Sequence, residues 1–300
     1  MLTFKAVTLS DQAVLQPLLY QNPYLLCNWS FSNMILWEEA FHPHYAFIND
    51  MLILAVMKDK TKPIFNFPIG NGNVKEAIDH LLAYTKQAGM AFRMANLTDE
   101  MKSTIEELYP QQFNFEERRD QFDYIYKVDD LLYLKGKKYQ AKRNHINKFI
   151  KSYNYHYSPL TTKDVPECLE LQNQWIEEND CGGDNCLMEL EHCAVKIALE
   201  LFDRLNMKGG VLRIDNRVVA FTLGQALNAN VFDVQIEKAL KQYHGAYPMI
   251  NQQFVEHEMQ NYLYVNREED LNEQGLRQAK LSYHPTLLLK KYVATLKEDQ

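Results

Sequence analysis

YLYVNREEDLNEQGLRQAKLSYHP, Tyr262 to Pro285, is the stretch that decides how this chain folds. Its first four residues are aromatic or aliphatic and predict a short buried strand. An acidic turn follows, and Asp270 and Asn272 carry side chains that accept hydrogen bonds from the free N–H groups of a helix start. We therefore expect a helix from about Asn272. Proline cannot continue a helix, so it ends before Pro285, and an apolar strand is predicted at Thr286 to Leu289.

The predicted helix has two distinct faces. Leu276, Ala279 and Tyr283 share one face by their spacing of three and four residues, and Arg277 and Lys280 share the neighbouring one. A charged turn and a helix that ends in a tyrosine are suited to binding an anionic ligand. A well-capped surface helix explains the same pattern, so both interpretations stay open.

Composition indicates an ordinary globular protein. Of 300 residues, 46% are hydrophobic and 24% are charged. The longest clearly apolar run is Met51 to Met57, far shorter than the roughly 20 residues that cross a bilayer. The N-terminal residues lack the apolar core of a signal peptide. These features predict a cytoplasmic location.

Charge is unevenly distributed along the chain. The net charge of −7 argues against a general nucleic-acid binder. The segment from Lys135 to Lys151, however, holds seven Lys or Arg residues and no acid. Any binding of phosphates must therefore depend on this local charge, and a solvated face of a helix between domains explains the same run.

The cysteines indicate a reducing compartment, because their number is odd and they are scattered along the chain: Cys27, Cys168, Cys181, Cys186 and Cys193. Cys181 and Cys186 are spaced like zinc ligands, with His192 and Cys193 close behind. A second ligand pair at zinc-finger distance is missing, so we expect free thiols and no metal site.

The order of predicted elements occurs twice. Each half contains helices, a hairpin, a third strand, a glycine loop that opens a helix, and then strand, helix and strand. The predicted hairpins lie at 47–57 and 211–226, and a long basic helix is predicted from Gly136 to about Tyr153. We expect a mixed α+β protein of two similar domains, 1–120 and 159–300, with a connecting strand and basic helix at 121–158.

The second glycine loop, QYHGAY, begins at Gln242 and lies between a predicted strand and a helix. Gly245 allows close backbone approach, and the free N–H groups of the helix start attract anions. The spacing resembles the pyrophosphate loop of GNAT N-acyltransferases, with a departure at Tyr247, where that loop has a small residue. The resemblance implies donor binding by Gln242, His244, Gly245, Ala246 and Tyr247.

Two longer stretches extend the resemblance. Residues 142–157, KRNHINKFIKSYNYHY, resemble the linker helix of Fem-type peptidoglycan aminoacyltransferases. Residues 266–285 resemble the bacterial phosphatidylglycerol lysyltransferase C-terminal region. Both groups are built from tandem GNAT-like domains, each a mostly antiparallel sheet flanked by helices. The resemblance implies transfer of an acyl or aminoacyl group, from a coenzyme A thioester or an aminoacyl-tRNA, to an amine or hydroxyl acceptor.

Such chemistry uses a general base and an acid. Glu237 and Asp233 are the candidate bases and Tyr283 is the candidate acid, although structural roles explain all three. The candidate acceptor or anion-binding residues are cationic or amide side chains of the two stretches: Lys142, Arg143, Asn266, Arg267, Arg277 and Lys280. Of the basic helix, we expect Arg143, which lies beside the apolar residues, to be inside a cleft in preference to the outer lysines. The alternatives are a non-catalytic module that binds a phosphorylated ligand and an RNA-binding protein.

Overall fold

The computed structural model describes residues 2–179 and 186–297, and of residues 186–188 only the backbone. The strands are β1 Lys5–Ala6, β2 Pro43–Ile48, β3 Met51–Val56, β4 Ile64–Phe65, β5 Ile69–Gly70, β6 Arg93–Leu97, β7 Phe113–Glu117, β8 Asp123–Lys127, β9 Tyr155–Pro159, β10 Lys208–Ile214, β11 Arg217–Asn228, β12 Val231–Ala239, β13 Tyr264–Asn266, β14 Leu287–Leu289 and β15 Tyr292–Leu296. The α-helices are α1 Gln12–Tyr20, α2 Phe31–Leu36, α3 Glu38–Phe41, α4 Val74–Gln87, α5 Asp99–Leu108, α6 Val128–Tyr133, α7 Gln140–Ser152, α8 Val165–Asn179, α9 Cys186–Leu201, α10 Ala246–Glu258 and α11 Gln274–Leu281.

The chain forms two compact units. The first contains Met1–Asp123, Glu269–Asn272 and Leu288–Gln300, and the second contains Tyr124–Glu268 and Glu273–Leu287. These bounds correct the predicted domains in two places. The basic helix belongs to the second unit, and the last strand, β15, belongs to the first because it pairs with β6 and β7.

In the first unit, the sheet has the order β1-β2-β3-β4-β6-β15-β7, with β5 on β3. Strand β3 is apolar and almost wholly buried, which explains its central place. Helix α4 begins where the side chain of Asn73 accepts a hydrogen bond from the N–H of Glu76. Its inward residues Ala77, Ile78 and Leu81 are fully buried, as their spacing predicts.

In the second unit, the sheet has the order β14-β8-β13-β12-β11-β10-β9. Strands β11 and β12 are buried along almost their whole length. Helix α10 lies in the chain between β12 and β13, which pair in parallel, just as α4 lies between the parallel strands β4 and β6. This repeat confirms the prediction of a mixed α+β fold with the same element order in both halves. No helix among the described residues is long and apolar enough to cross a membrane.

Candidate functional site

The candidate site lies in the second unit, at the point where β12 and β13 separate. The two strands pair only at three positions, Val231 with Tyr264, Phe232 with Val265 and Asp233 with Asn266. Beyond Asp233, β12 continues to Ala239 beside β11, while β13 ends at Asn266. The polar side chains that follow these two strands therefore come to lie around one opening.

An ion pair crosses this opening. Arg267 Nη2 lies 2.8 Å from Glu237 Oε1, and each side chain is 12% exposed. The other oxygen of Glu237 accepts a hydrogen bond of 2.9 Å from Asn251 Nδ2 on α10. Arg267 Nη1 is buried and has no hydrogen-bond partner among the described residues. The guanidinium is thus anchored on one side and has an N–H group left to donate on the other.

The two predicted bases are poorly placed for proton transfer. Both carboxylate oxygens of Glu237 are engaged by Arg267 and Asn251. Asp233 is fully buried in the sheet, opposite Asn266. An acceptor group must reach a base within hydrogen-bond distance. Glu237 thus has a partner at each carboxylate oxygen, and Asp233 is removed from solvent.

Tyr283 lies beside the ion pair and is 5% exposed. Its ring centre lies 4.9 Å from the guanidinium carbon of Arg267 and 6.4 Å from the ring centre of Tyr126. Burial raises the pKa of the Tyr283 phenol, and the charge of Arg267 opposes this only in part. The phenol therefore keeps its proton at neutral pH and can donate a hydrogen bond.

Lys142, on α7, brings an amine to the same place. Its Nζ lies 3.8 Å from the ring centre of Tyr283. Burial lowers the pKa of Lys142 to about 8, helped by the nearby charge of Arg267 and opposed by Glu237. The structure thus brings together Lys142, Glu237, Arg267 and Tyr283 from the predicted site.

Arg143 does not join them. Its Nη1 donates to the carbonyl oxygens of Leu134 and Gly136, the latter at 2.7 Å. The guanidinium therefore donates hydrogen bonds to backbone carbonyl groups that follow the end of α6. Arg143 is half-buried, whereas the outer lysines of the basic helix are exposed, and its neighbour Lys142 takes the position beside Tyr283.

Asn266 and Lys280 are buried and support the residues of the site. Asn266 is fully buried, and its Oδ1 accepts a hydrogen bond of 2.6 Å from the N–H of Glu268, which fixes the turn that carries Arg267. Lys280 is 8% exposed, with its Nζ 5.7 Å from the ring centre of Tyr124. Its carbonyl oxygen accepts a 2.7 Å hydrogen bond from the hydroxyl of Tyr126.

Helix α11 buries the face that carries Lys280. Leu276 and Ala279 are exposed, Arg277 is half-buried and Lys280 is buried. The helix begins later than expected, at Gln274, because Asp270 accepts the N–H of Asn272 within the preceding turn. The spacing had assigned Leu276 and Ala279 to the same face as the buried Tyr283.

The predicted donor loop packs against the basic helix. Gly245 has φ +94°, and a Cβ placed there would lie 2.6 Å from the carbonyl oxygen of His145 and 3.1 Å from Phe149 Cβ. The glycine is therefore explained by contact with α7. In the rest of the loop, Gln242 and His244 are exposed and Ala246 is buried.

Tyr247 connects the loop to residues that the sequence did not single out. Its hydroxyl accepts a 2.8 Å hydrogen bond from Trp175 Nε1. Lys238 Nζ lies 3.5 Å from the centre of the Trp175 ring and 2.7 Å from a carboxylate oxygen of Glu191. Lys238 was the signal in the sequence for this cluster. It lies in the buried strand β12, and a buried lysine needs a partner.

The exposed side of α7 and the turn before it form a basic face, which consists of Lys135, Lys137, Lys138, Lys148 and Lys151. None of these five takes part in an ion pair within the described part of the chain. Their charge is therefore available to phosphates.

The candidate metal set of the sequence falls partly outside the described residues, since Cys181 and the side chain of Cys186 are not described. In the first unit, Cys27, Asp123 and Glu269 offer ligand atoms within 4.8 Å of one another. The ammonium of Lys291 lies 2.7 Å from Asp123 and 2.6 Å from Glu269. A lysine thus supplies the positive charge in that cluster.

Comparison with known proteins gives a consistent result. Residues 26–295 match the family model described as phosphatidylglycerol lysyltransferase, C-terminal. A curated relative, an uncharacterized protein of Mycoplasmoides gallisepticum, is 25% identical over 57% of this chain. That match covers 55% of the relative, so the chain spans about half the length of the curated relative it matches.

Solved structures show the same fold. A conserved protein of unknown function from Bacteroides thetaiotaomicron is 38% identical, with a TM-score of 0.94 over 99% of this chain and 100% of that one. The C-terminal domain of a proposed lysylphosphatidylglycerol synthetase from Agrobacterium fabrum is 13% identical, with a TM-score of 0.70 over 96% and 92%. FemX is 11% identical, with a TM-score of 0.59 over 97% and 96%. The fold is that of tandem GNAT-like proteins.

Proposed function

Because the chain belongs to the family described as phosphatidylglycerol lysyltransferase, C-terminal, we propose that it is an aminoacyltransferase. It moves an aminoacyl group from a charged tRNA to a hydroxyl or amine acceptor. The reaction takes place in the second unit, at the opening between β12 and β13.

The observation that carries this proposal is the way in which Arg267 is held, with one N–H group left without a partner among the described residues. Its guanidinium is held by Glu237 at 2.8 Å, and Nη1 is buried without a hydrogen-bond partner among the described residues. When an ester carbonyl is attacked, its oxygen becomes an oxyanion. A fixed, partly desolvated N–H donor stabilises such a charge strongly, because it needs no reorganisation during the reaction. The phenol of Tyr283 adds a second donor beside it.

We propose tRNA as the donor because of the charge near the site. The basic face of α7 lies on the helix that delivers Lys142 to the site, and its five lysines have no acidic partners among the described residues. Phosphate backbones bind such a face through the release of counterions.

A coenzyme A thioester fits the loop less well. Gly245 faces His145 and Phe149 of α7, where a pyrophosphate loop would need open space for its ligand. Tyr247, in place of a small residue, bonds to Trp175. Coenzyme A is therefore the second donor candidate.

For the acceptor, we propose a lipid hydroxyl of phosphatidylglycerol, as the family description and the name of the Agrobacterium relative suggest. A soluble amine is the alternative. A module that binds RNA or a phosphorylated ligand without turnover is the second candidate function, favoured by the basic face alone.

The test uses the whole chain with bulk tRNA charged with radiolabelled amino acids, and separately with labelled acetyl-coenzyme A. Each donor is offered to vesicles with phosphatidylglycerol, to vesicles of phosphatidylcholine alone and to a mixture of soluble amines. The proposal expects label to move from tRNA to phosphatidylglycerol. Binding of tRNA without movement of label to any acceptor contradicts it and supports the non-catalytic alternative.

A further inference from the structure

Lys142 is a cation on the apolar side of its helix. It shares the inward face of α7 with Ile146 and Phe149, which lie four and seven residues further along and are 5% and 0% exposed. This position directs the side chain toward the site, where Nζ lies 3.8 Å from the ring centre of Tyr283. The other lysines of this segment lie on the exposed basic face.

The amine of Lys142 has no anionic partner. None of the hydrogen bonds and ion pairs of the described residues involves its Nζ. The one carboxylate that acts on it, Glu237, is already bonded to Arg267 and Asn251. The polar groups around it are therefore the guanidinium of Arg267 after the end of β13, the carboxylate of Glu237 on β12 and the phenol of Tyr283, which follows α11.

This environment shifts Lys142 toward the neutral amine relative to a lysine in water. Removal from water disfavours the ammonium form, and Arg267 repels it, so the pKa of Lys142 falls to about 8. A pKa near the working pH is what proton transfer requires, because both the free base and its conjugate acid are then accessible. Both carboxylate oxygens of Glu237 are already bonded, and Asp233 is fully buried.

We propose that Lys142 is the general base of the second unit, a role that rests on the proposed aminoacyl transfer. Its neutral amine takes a proton from the acceptor hydroxyl or neutral amine as the acceptor oxygen or nitrogen forms a bond to the ester carbonyl carbon. The bond between that carbon and the ester oxygen of the donor then breaks, and the Lys142 ammonium returns the proton to the leaving hydroxyl. Protons and electrons balance, and no further reactant is needed.

The first test compares two variants under single turnover between pH 6 and pH 9. Lys142→Met removes the amine, and Lys142→Arg keeps the positive charge but cannot lose its proton in this range. We expect both to lower the transfer rate at least about 100-fold, as for loss of a general base. The wild-type rate rises with pH up to about 8, and this rise disappears in both variants. Lys163→Met, an exposed position off the basic face, is the matched control.

The second test needs no substrate. Isotopic acetic anhydride labels wild-type lysines at each pH, and mass spectrometry compares Lys142 with exposed Lys163 in the same sample. We expect labelling of Lys142 to rise around pH 8. A rise only above about pH 10, as for a lysine in water, overturns the proposal even if transfer occurs. Full activity of Lys142→Arg overturns it too. Absence of transfer by the wild type overturns both proposals. The labelling result then shows whether the pKa of Lys142 is that of an ordinary lysine or is lowered.

Discussion

Arg267 Nη2 and Glu237 Oε1 lie 2.8 Å apart, across the point where strands β12 and β13 separate. Asn251 holds the other carboxylate oxygen, and Tyr283 covers the guanidinium. The pair fixes the cation that the proposed reaction uses. Its removal should therefore affect both stability and transfer.

The first prediction concerns this ion pair. Arg267→Met leaves the Glu237 carboxylate buried without its cation, so we expect a loss of about 3–5 kcal/mol in the free energy of unfolding, as for a broken buried pair. Glu237→Gln keeps the shape of the side chain. The double variant with Arg267→Met should lose less free energy of unfolding than the sum of the losses in the two single variants. Urea unfolding of the two single variants and the double variant measures the coupling. Additive losses would show that the two side chains do not interact.

The second prediction concerns Gly245. Alanine there must adopt φ near +94° and place Cβ 2.6 Å from the carbonyl oxygen of His145. We expect Gly245→Ala to destabilise the protein by about 1–3 kcal/mol. Gly275, in the first turn of α11, has open space and is the control. Gly275→Ala should be neutral or stabilise by about 0.5–1 kcal/mol. An equal effect of both substitutions, measured by urea unfolding, would contradict the packing of the loop on α7.

The third prediction concerns the basic face of α7. Lys148→Glu with Lys151→Glu should weaken tRNA binding and make it less dependent on salt, since each lost phosphate contact lowers the slope by roughly 0.7–0.9. The measurement is filter binding of uncharged tRNA at several salt concentrations. Lys208→Glu, at an exposed position on β10, is the control and should leave the slope unchanged. Equal salt dependence for the double variant and the wild type would show that tRNA binds at another surface.

The fourth prediction concerns Lys291 in the first unit. Its ammonium is fully buried between Asp123 and Glu269. Lys291→Met should lower the free energy of unfolding by about 3–5 kcal/mol, because two carboxylates lose their cation. Asp123→Asn in the same chain should recover part of that loss.

The pH dependence of this cluster has a definite sign. Burial alone would lower the pKa of Lys291, but Asp123, Cys27 and Glu269 hold it well above its ordinary value. Its contribution to stability is therefore complete below about pH 10.4, the value of an unfolded lysine, and is lost as the pH rises through the higher folded value. Urea unfolding at pH 8 to 11 should show a decline in the wild type that is absent in Lys291→Met. Equal declines in both would contradict the assignment.

Local patterns predicted the elements well and the long-range pairings poorly. Asn49-Asp50 and Asp215-Asn216 form the turns of the hairpins predicted at 47–57 and 211–226. The place of β15 in the first sheet depends on pairing with β6 and β7, about 200 residues away in the sequence, and no local pattern encodes it.

The candidate site was also predicted only in part, because local patterns do not encode contacts between segments that are distant in the sequence. The family resemblance selected the stretches that carry Lys142, Arg267 and Tyr283. Lys142 and Arg143 both flank the apolar residues of α7, so their spacing alone did not decide which of the two points inward. The bond to the second oxygen of Glu237 comes from Asn251, on a helix whose contact with β12 the sequence did not specify.

The most direct test of the account is a single-turnover assay of aminoacyl transfer from charged tRNA to vesicles with phosphatidylglycerol. It compares the wild type with Tyr283→Phe, which keeps the ring and removes the hydroxyl beside Arg267. The account predicts that label reaches the lipid with the wild type and that the variant is roughly 10-fold or more slower, as for the loss of a donor to an oxyanion. Label that stays on the tRNA with the wild type, or equal rates for both proteins, would contradict a transferase site in the second unit.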